Sequence, residues 1–377
     1  MTSTAPETTG VPFLDLRPSH EPLAEAILAD VAALIETNAY INGPAVAEFE
    51  REFAAFCGSA YTVGLASGLD ALRLALLAVG LEPGDEVIVP AHTFIATLEA
   101  VTQAGGRPVA VDIREDDYTI DVAAAEAAVG PRTRALLPVH LYGQMADMKG
   151  LRELAHRHDL VLLEDACQAH GATRDGLRSG AVGTAGAFSF YPGKNLGAMG
   201  DAGALVTDDS ELASRLRALR EHGQTRKYEH AWEGYTARLD TIQAAVLLRK
   251  LPWLAHWNDS RRAAARRYSE VLAGVGDLVL PAVAPGSDPV WHLYVVRTVD
   301  PVALGESLGD RGIGTGRHYP QPVHLATAYT WLGYVKGDFE VAERLAEEAI
   351  SLPIYPGITE AQVDTVVDAV GRFFAGG

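Results

Sequence analysis

Three segments each end an apolar run in a polar group. In Ala66-Ser67-Gly68-Leu69-Asp70-Ala71-Leu72 the run gives way to a small, glycine-containing turn. A helix follows, with Leu72, Leu76 and Val79 on one side. Free N–H groups at a helix N-terminus, aided by its dipole, attract an anion, and phosphate is the natural guest. Ser67 or Asp70 could instead satisfy the same donors as an ordinary cap. In Leu160-Val161-Leu162-Leu163-Glu164-Asp165-Ala166-Cys167-Gln168-Ala169-His170-Gly171 two adjacent carboxylates end a hydrophobic run. Successive strand residues point to opposite faces, so Glu164 and Asp165 are expected to do different jobs. A carboxylate at the end of a buried strand is costly unless it meets a cation. A protonated heterocyclic nitrogen would serve, and so would an arginine or a helix to cap. In Phe188-Ser189-Phe190-Tyr191-Pro192-Gly193-Lys194-Asn195-Leu196-Gly197 a lysine sits in a short loop behind an apolar run. Burial would lower its pKa and favour Schiff-base chemistry. A solvated loop lysine is the competing reading. Together the segments supply a phosphate cradle, a carboxylate for a pyridinium nitrogen and a Schiff-base lysine, which is the set pyridoxal phosphate requires.

The elements that must position these groups follow from periodicity. Helices are expected at about 21–37 and 45–56; in the second, Val46, Phe49, Phe53 and Phe56 recur at helix spacing, with Glu48, Glu50, Arg51 and Glu52 on the wet side. Apolar runs then alternate with helical stretches: Tyr61–Ala66, Glu86–Pro90, Pro108–Ile113, Ala135–His140, Leu160–Glu164, Ala187–Phe190 and Ala204–Thr207. Strands alternating with helices predict an α/β fold with a mostly parallel sheet covered on both faces. Such sheets bind ligands at the carboxyl ends of their strands. A long helical stretch at about 239–275 contains Pro252 and should break near it. A strand (Trp291–Thr298) and helices at about 302–310, 337–349 and 359–375 suggest a smaller C-terminal α+β domain. The expected division is 1–250 and 251–377.

Composition narrows the function classes. The 377 residues carry 31 Lys plus Arg against 49 Asp plus Glu, a formal charge of −18. Such a chain repels phosphate backbones and anionic membranes, which disfavours nucleic-acid binding. Cys57 and Cys167 alone cannot build a disulfide framework or a four-thiolate metal site. No run of about 18 apolar residues could span a bilayer, and Met1 to Gly10, read as a loose tail, lacks the features of a signal peptide. A soluble cytoplasmic enzyme is expected. His156-Arg157-His158-Asp159 reads as a helix C-terminus without a complete metal ligand set, so no metal is expected. Arg261, Arg262, Arg266 and Arg267 read as a solvated basic face, with a diphosphate contact as the alternative. Gly180, Gly183 and Gly186 lack the G-x-G-x-x-G spacing of a dinucleotide site.

These motifs resemble the DegT/DnrJ/StrS family of sugar aminotransferases, within the fold-type-I pyridoxal-phosphate enzymes. The resemblance runs from Val11-Pro12-Phe13-Leu14-Asp15-Leu16 to Ser351-Leu352-Pro353. It is most specific at Glu164-Asp165-Ala166-Cys167-Gln168-Ala169-His170-Gly171 and Ser189-Phe190-Tyr191-Pro192-Gly193-Lys194-Asn195-Leu196. It implies a large domain with a mostly parallel seven-stranded sheet. Lys194 would be the Schiff-base lysine and proton shuttle, Asp165 the partner of the pyridine nitrogen, and Gln168 that of the ring hydroxyl. Ser189 and the backbone at Gly68 and Leu69 would hold the phosphate. Phe94 would stack on the ring with Cys167 on its other face; a plain core aromatic is the alternative for Phe94. The resemblance also implies a homodimer with shared active sites, the segment from His222 to Asp240 reaching into the neighbour. The family commonly has Asn where this chain has Thr236; a threonine hydroxyl can still donate one hydrogen bond to the partner's phosphate.

The implied reaction passes an amino group from L-glutamate, through the pyridoxamine form of the cofactor, to a nucleotide-linked keto-6-deoxyhexose in amino-sugar biosynthesis. Ala66–Leu72 and Leu137-Pro138-Val139-His140-Leu141-Tyr142-Gly143-Gln144 are most similar to members that aminate carbon 3, which implies a dTDP-3-keto sugar as substrate. By resemblance, Tyr319 and His324 would contact the substrate, though both could be structural. Rival readings are amination at carbon 4, a keto-inositol aminotransferase, a pyridoxamine-dependent sugar dehydratase and a non-catalytic binding relative. The dehydratase branch replaces the lysine with histidine, whereas this chain keeps Lys194.

Overall fold

The computed structural model describes residues 10–376, so the expected N-terminal tail lies, apart from Gly10, outside the described residues. Seven strands form the central sheet: β1 (Tyr61–Leu65), β2 (Glu86–Pro90), β3 (Arg107–Val111), β4 (Thr133–Leu136), β5 (Val161–Asp165), β6 (Ala185–Ser189) and β7 (Gly203–Thr207). Their spatial order is β1-β7-β6-β5-β4-β2-β3. All pairings are parallel except those of β7, which runs antiparallel to both β1 and β6. The expected α/β fold is present, and each of the seven apolar runs falls on one strand.

Both faces of this sheet are buried, which is why its strands read as nearly continuous apolar runs. Val87 and Val89 enter one core while Ile88 enters another. Leu163 and Leu162 divide in the same way. Helix α1 (Ala24–Thr37) precedes α2 (Pro44–Cys57), whose Val46, Phe49 and Phe53 are buried with Phe56 half-buried. Phe49 and Phe53 meet Phe190 edge-on at 5.3 and 5.1 Å, a favoured aromatic geometry that fixes α2 beside β6. Glu50 corrects the expected wet side. It is buried, accepts from Arg220 Nη1 at 2.5 Å and from the Gly64 N–H at 2.8 Å, and so ties α2 to β1.

Helices α3 (Gly68–Ala78) and α4 (Ala96–Gln103) follow β1 and β2. The long helical stretch breaks at Pro252, as expected, into α5 (Thr241–Lys250), a 3₁₀ turn (Leu251–Trp253) and α6 (Leu254–Val271). A second core gathers Val11 with residues between Ala264 and Val370. It packs α6, α7 (Pro301–Gly309) and α8 (Glu360–Phe374) against the antiparallel pair β8 (Tyr294–Arg297) and β9 (Ala349–Leu352). Strand β8 starts later than the sequence suggests because Trp291 adopts φ +47°, outside extended geometry. Strand β9 begins at the last residue of the expected 337–349 helix, since Ala349 turns extended at the close of helix Glu340–Glu348. Among the described residues no helix is long and apolar enough to cross a membrane.

Candidate active site

A cleft of about 540 Å³ opens at the carboxyl ends of β1, β5 and β6. It brings together nine residues singled out from sequence: Gly68, Leu69, Phe94, Asp165, Cys167, Gln168, Ser189, Lys194 and Tyr319.

At the end of β1, Ser67 caps α3 by accepting the Asp70 N–H at 3.0 Å. The cap of the sequence reading is present, and it leaves the first-turn N–H groups of Gly68 and Leu69 without intrahelical partners. A Cβ at Gly68 would lie 2.7 Å from the Ser189 Cβ and 2.9 Å from the Cys167 Sγ. Only glycine lets the helix N-terminus approach the cleft floor this closely.

Strand β5 sends its paired carboxylates to opposite sides. Glu164 is fully buried away from the cleft. Its Oε1 accepts from the N–H groups of Val182 and Gly183, both at 2.7 Å, and its Oε2 from the Gly180 N–H at 2.9 Å and His140 Nε2 at 2.8 Å. His140 Nδ1 accepts the Ala146 N–H, so the ring proton is on Nε2. Asp165 faces the cleft. Its Oδ2 accepts from the Thr97 hydroxyl at 2.9 Å and its Oδ1 from the Cys167 N–H at 3.2 Å. Thr97 also meets the Thr93 hydroxyl at 2.9 Å, one helical turn away. Asp165 is buried and makes no ion pair among the described residues, so the structural alternative of an arginine partner is not realised.

Lys194 follows β6 in a tight turn, where its N–H donates to the Tyr191 carbonyl at 2.8 Å. Gly197 is obligatory there, since a Cβ would sit 2.2 Å from the Pro192 carbonyl oxygen. Burial of the ammonium pushes its pKa down, partly opposed by Cys167 and Asp165. Burial likewise pushes the Cys167 thiol up. Ser189 Oγ accepts the Tyr191 N–H at 3.3 Å, and its hydroxyl hydrogen is free to donate. Gln168 accepts the Tyr142 N–H at 2.7 Å and donates to the Tyr319 hydroxyl at 3.1 Å, which locks both side chains. Phe94 is 52% exposed over the cleft and 5.5 Å from the Tyr319 ring, so it is not a core aromatic.

Two sequence candidates lie elsewhere. His324 is 1% exposed outside the cleft; its Nε2 lies 3.0 Å from Glu343 Oε1 and its ring packs edge-on against Phe339. It corrects the expected substrate contact, because the turn at Val323–Leu325 points it inward. Thr236 is exposed on the loop after the Gln224–His230 hairpin and lies 3.3 Å from His222 Nε2. Sequence reasoning missed Phe13, Thr93, Thr97, Arg261, His292 and His318, which also line the cleft. The i, i+4 spacing of Thr93 and Thr97 was the one available signal. Arg261 overturns the solvated basic face, for it is 1% exposed.

Comparison with known proteins gives the lineage. The family model for DegT/DnrJ/EryC1/StrS aminotransferases matches residues 22–371. The chain is 50% identical to dTDP-3-amino-3,4,6-trideoxy-alpha-D-glucose transaminase of Streptomyces venezuelae, over 98% of this chain and 97% of that one. It superposes on the crystal structure of S. venezuelae DesV in complex with a ketimine intermediate with a TM-score of 0.95, covering 97% and 98% of the two chains at 50% identity. The PLP form of a putative sugar aminotransferase from Streptococcus pneumoniae matches at TM-score 0.88 and 27% identity, covering 93% and 96%. Matched along nearly its whole length, the chain belongs to the DegT/DnrJ/EryC1/StrS aminotransferase family.

Proposed function

We propose that this aminotransferase binds pyridoxal phosphate in the cleft and moves an amino group from L-glutamate to the 3-keto group of a dTDP-linked 6-deoxyhexose. One observation carries the reading: a buried carboxylate with no ion-pair partner among the described residues and a lysine whose pKa is lowered by burial face the same cleft. The residues fit the cofactor. Gly68 leaves room only for backbone at the floor, with two free N–H groups beside the Ser189 hydroxyl. Asp165 offers a carboxylate for a protonated ring nitrogen, oriented by Thr97 and the Cys167 N–H. When bound, the cofactor supplies a carbonyl that condenses with amines and a ring that withdraws electrons.

Each side chain then has a task. Lys194 carries the reactive amine and moves the proton at the substrate carbon, and the burial that lowers its pKa makes the neutral amine easier to reach. Asp165 keeps the proton on the ring nitrogen. Gln168, held by Tyr142 and Tyr319, has a second amide hydrogen for the ring hydroxyl. Ser189, Gly68 and Leu69 would hold the phosphate, and Phe94 and Cys167 would hold the ring. Tyr319 borders the substrate space. The S. venezuelae relative, a dTDP-3-amino-3,4,6-trideoxy-alpha-D-glucose transaminase, supports a dTDP-linked sugar and amination at carbon 3. We read the enzyme as a homodimer in which Thr236 reaches the partner's phosphate. The second core supports reading 251–377 as a smaller domain beside 1–250.

The test supplies purified enzyme with pyridoxal phosphate, L-glutamate and a dTDP-3-keto-6-deoxyhexose. The nucleotide product should carry one amine at carbon 3 by mass and NMR. Amination only of a 4-keto sugar or a keto-inositol would replace the substrate, and loss of water without a new amine would replace the reaction.

A further inference from the structure

The last residue of α5 turns a charge inward that the roles above do not use. Lys250 is 2% exposed and is among the largest fully buried side chains. Its Nζ donates to the Gly197 carbonyl at 2.5 Å and to His20 Nε2 at 3.3 Å. His20 can accept because its Nδ1 lies 2.8 Å from the Leu16 carbonyl, which fixes the ring proton there. The Trp257 ring of α6 lies 5.7 Å away, within cation–π range. Arg249, one residue earlier, pairs with Asp30, whereas no carboxylate meets Lys250 among the described residues. Burial without an acid lowers its pKa to about 8. Such a cation is costly to bury, and a methionine would fill the space with no charge to desolvate. What the ammonium supplies and a methionine lacks is a hydrogen-bond donor.

The acceptor it reaches belongs to the turn that carries Lys194. That turn folds back on itself: the Lys194 N–H donates to the Tyr191 carbonyl at 2.8 Å and the Ala198 N–H to the Phe190 carbonyl at 2.7 Å. Just beyond Lys194 the turn is tied to the rest of the fold. Asn195 Nδ2 donates to Asn258 Oδ1 and to the Val290 carbonyl, both at 2.9 Å. Gly197 is buried, and Lys250 is the donor its carbonyl meets among the described residues. A buried carbonyl left without a donor is unfavourable. The N-terminal stretch lies against the same turn, with Leu14 Cδ2 3.3 Å from where a Cβ on Gly193 would stand. Through His20, Lys250 holds that stretch as well. Lys250 does not itself line the cleft, so it reaches the chemistry only through the turn.

We propose that Lys250 is a positioning residue for Lys194: by pinning the Gly197 carbonyl it keeps the turn closed and the Lys194 amine buried. The proposal rests on the reading of Lys194 as the reactive amine and deepens it. Opening the turn would let water reach that amine and carry its pKa back toward 10.5. Less neutral amine would then be present to attack a carbonyl at neutral pH. The charged and titratable groups around Lys194 are Asp165 and Cys167, with His170, His292 and His318 depressed by its charge. A change at Lys250 alters none of them. A neutral Lys250 amine still has N–H groups to donate, so its own titration leaves the pin in place.

Two readouts test this, with Lys250→Met and Lys250→Gln beside the unaltered chain. The first is the pH dependence of the rate at which pyridoxal phosphate forms its Schiff base with the cofactor-free protein. Its midpoint should rise by about one unit in Lys250→Met, which slows the reaction roughly tenfold at pH 7. In Lys250→Gln it should rise less, because the shorter amide donor stops short of full contact with Gly197. The second readout needs no cofactor: hydrogen exchange at the Lys194 and Ala198 amides should quicken in both variants. A midpoint unmoved in Lys250→Met overturns the proposal, even where urea unfolds that variant sooner, and leaves Lys250 a purely structural contact. Should Lys250→Met not fold, Lys250→Gln decides, and an unmoved midpoint there overturns the proposal. Absence of any Schiff base in the unaltered protein would overturn the amino-transfer reading instead, and hydrogen exchange would still decide whether Lys250 holds the turn.

Discussion

Replacing Glu164 by glutamine keeps the volume of the side chain but sets an NH2 where an oxygen now accepts two hydrogen bonds. Each carboxylate oxygen has two donors facing it, so no amide rotamer escapes. His140 cannot switch tautomer to help, because its Nδ1 accepts the Ala146 N–H. Two charge-assisted bonds at about 1.5–3 kcal/mol each give a loss of about 3–6 kcal/mol. That is a large part of the roughly 5–15 kcal/mol that stabilises a typical domain. Asp165→Asn, one residue on, should behave differently. The amide oxygen can accept the Cys167 N–H, and the amide nitrogen can donate to Thr97, whose hydroxyl turns away. Stability should shift by no more than about 1 kcal/mol, while amino transfer falls by roughly 10²–10⁴-fold as the ring nitrogen loses its proton partner. Urea unfolding of the cofactor-free chains at one protein concentration measures the first quantity. Equal destabilisation by the two changes, or a loss below about 1 kcal/mol for Glu164→Gln, would refute the assignment of the two carboxylates to opposite jobs.

Other consequences are open to direct measurement. Lys194→Ala should abolish Schiff-base absorption in the loaded protein and lower turnover by roughly 10²–10⁴-fold or more, read by spectroscopy and steady-state assay. His324→Leu should cost about 1–3 kcal/mol in urea unfolding by leaving Glu343 short of a donor, with kcat and KM for the ketosugar unchanged. Burial lowers Lys250 from 10.5 to about 8. Between those values the unfolded chain binds the proton and the folded one does not, so stability should rise with pH from about 8 to 10.5. The rise should vanish in Lys250→Met; a falling or flat difference between the two proteins would contradict it. Thr236→Val should weaken cofactor binding about tenfold in titrations, the worth of one hydrogen bond to a charged group.

The central sheet was legible because both its faces are buried, which turns strands into unbroken apolar runs. The chemistry at their ends was legible as far as Gly68, Leu69, Asp165, Cys167, Gln168, Ser189 and Lys194, which lie in three short segments. What escaped depends on distant partners. Glu50 looked wet until Arg220, 170 residues on, came to meet it. Arg261 looked like one of a basic row, and only the carbonyls of Trp291, His292 and Ile354 explain its burial. His324 followed a motif but turned into a contact with Glu343. Strand β9 was missed because Ile350-Ser351-Leu352 is a short apolar stretch after the expected 337–349 helix and declares itself as a strand only by pairing with β8.

The central claim is that Lys194 carries the cofactor and accepts nitrogen from an amino donor for delivery to a ketosugar. Absorption of the loaded protein tests it in one cuvette. The Schiff-base band should disappear on adding L-glutamate, give way to the pyridoxamine band, and return when the dTDP-3-keto sugar is added after removal of the donor. A Schiff-base band that neither L-glutamate nor any other amino acid changes, or a loaded protein with no such band, would contradict the account.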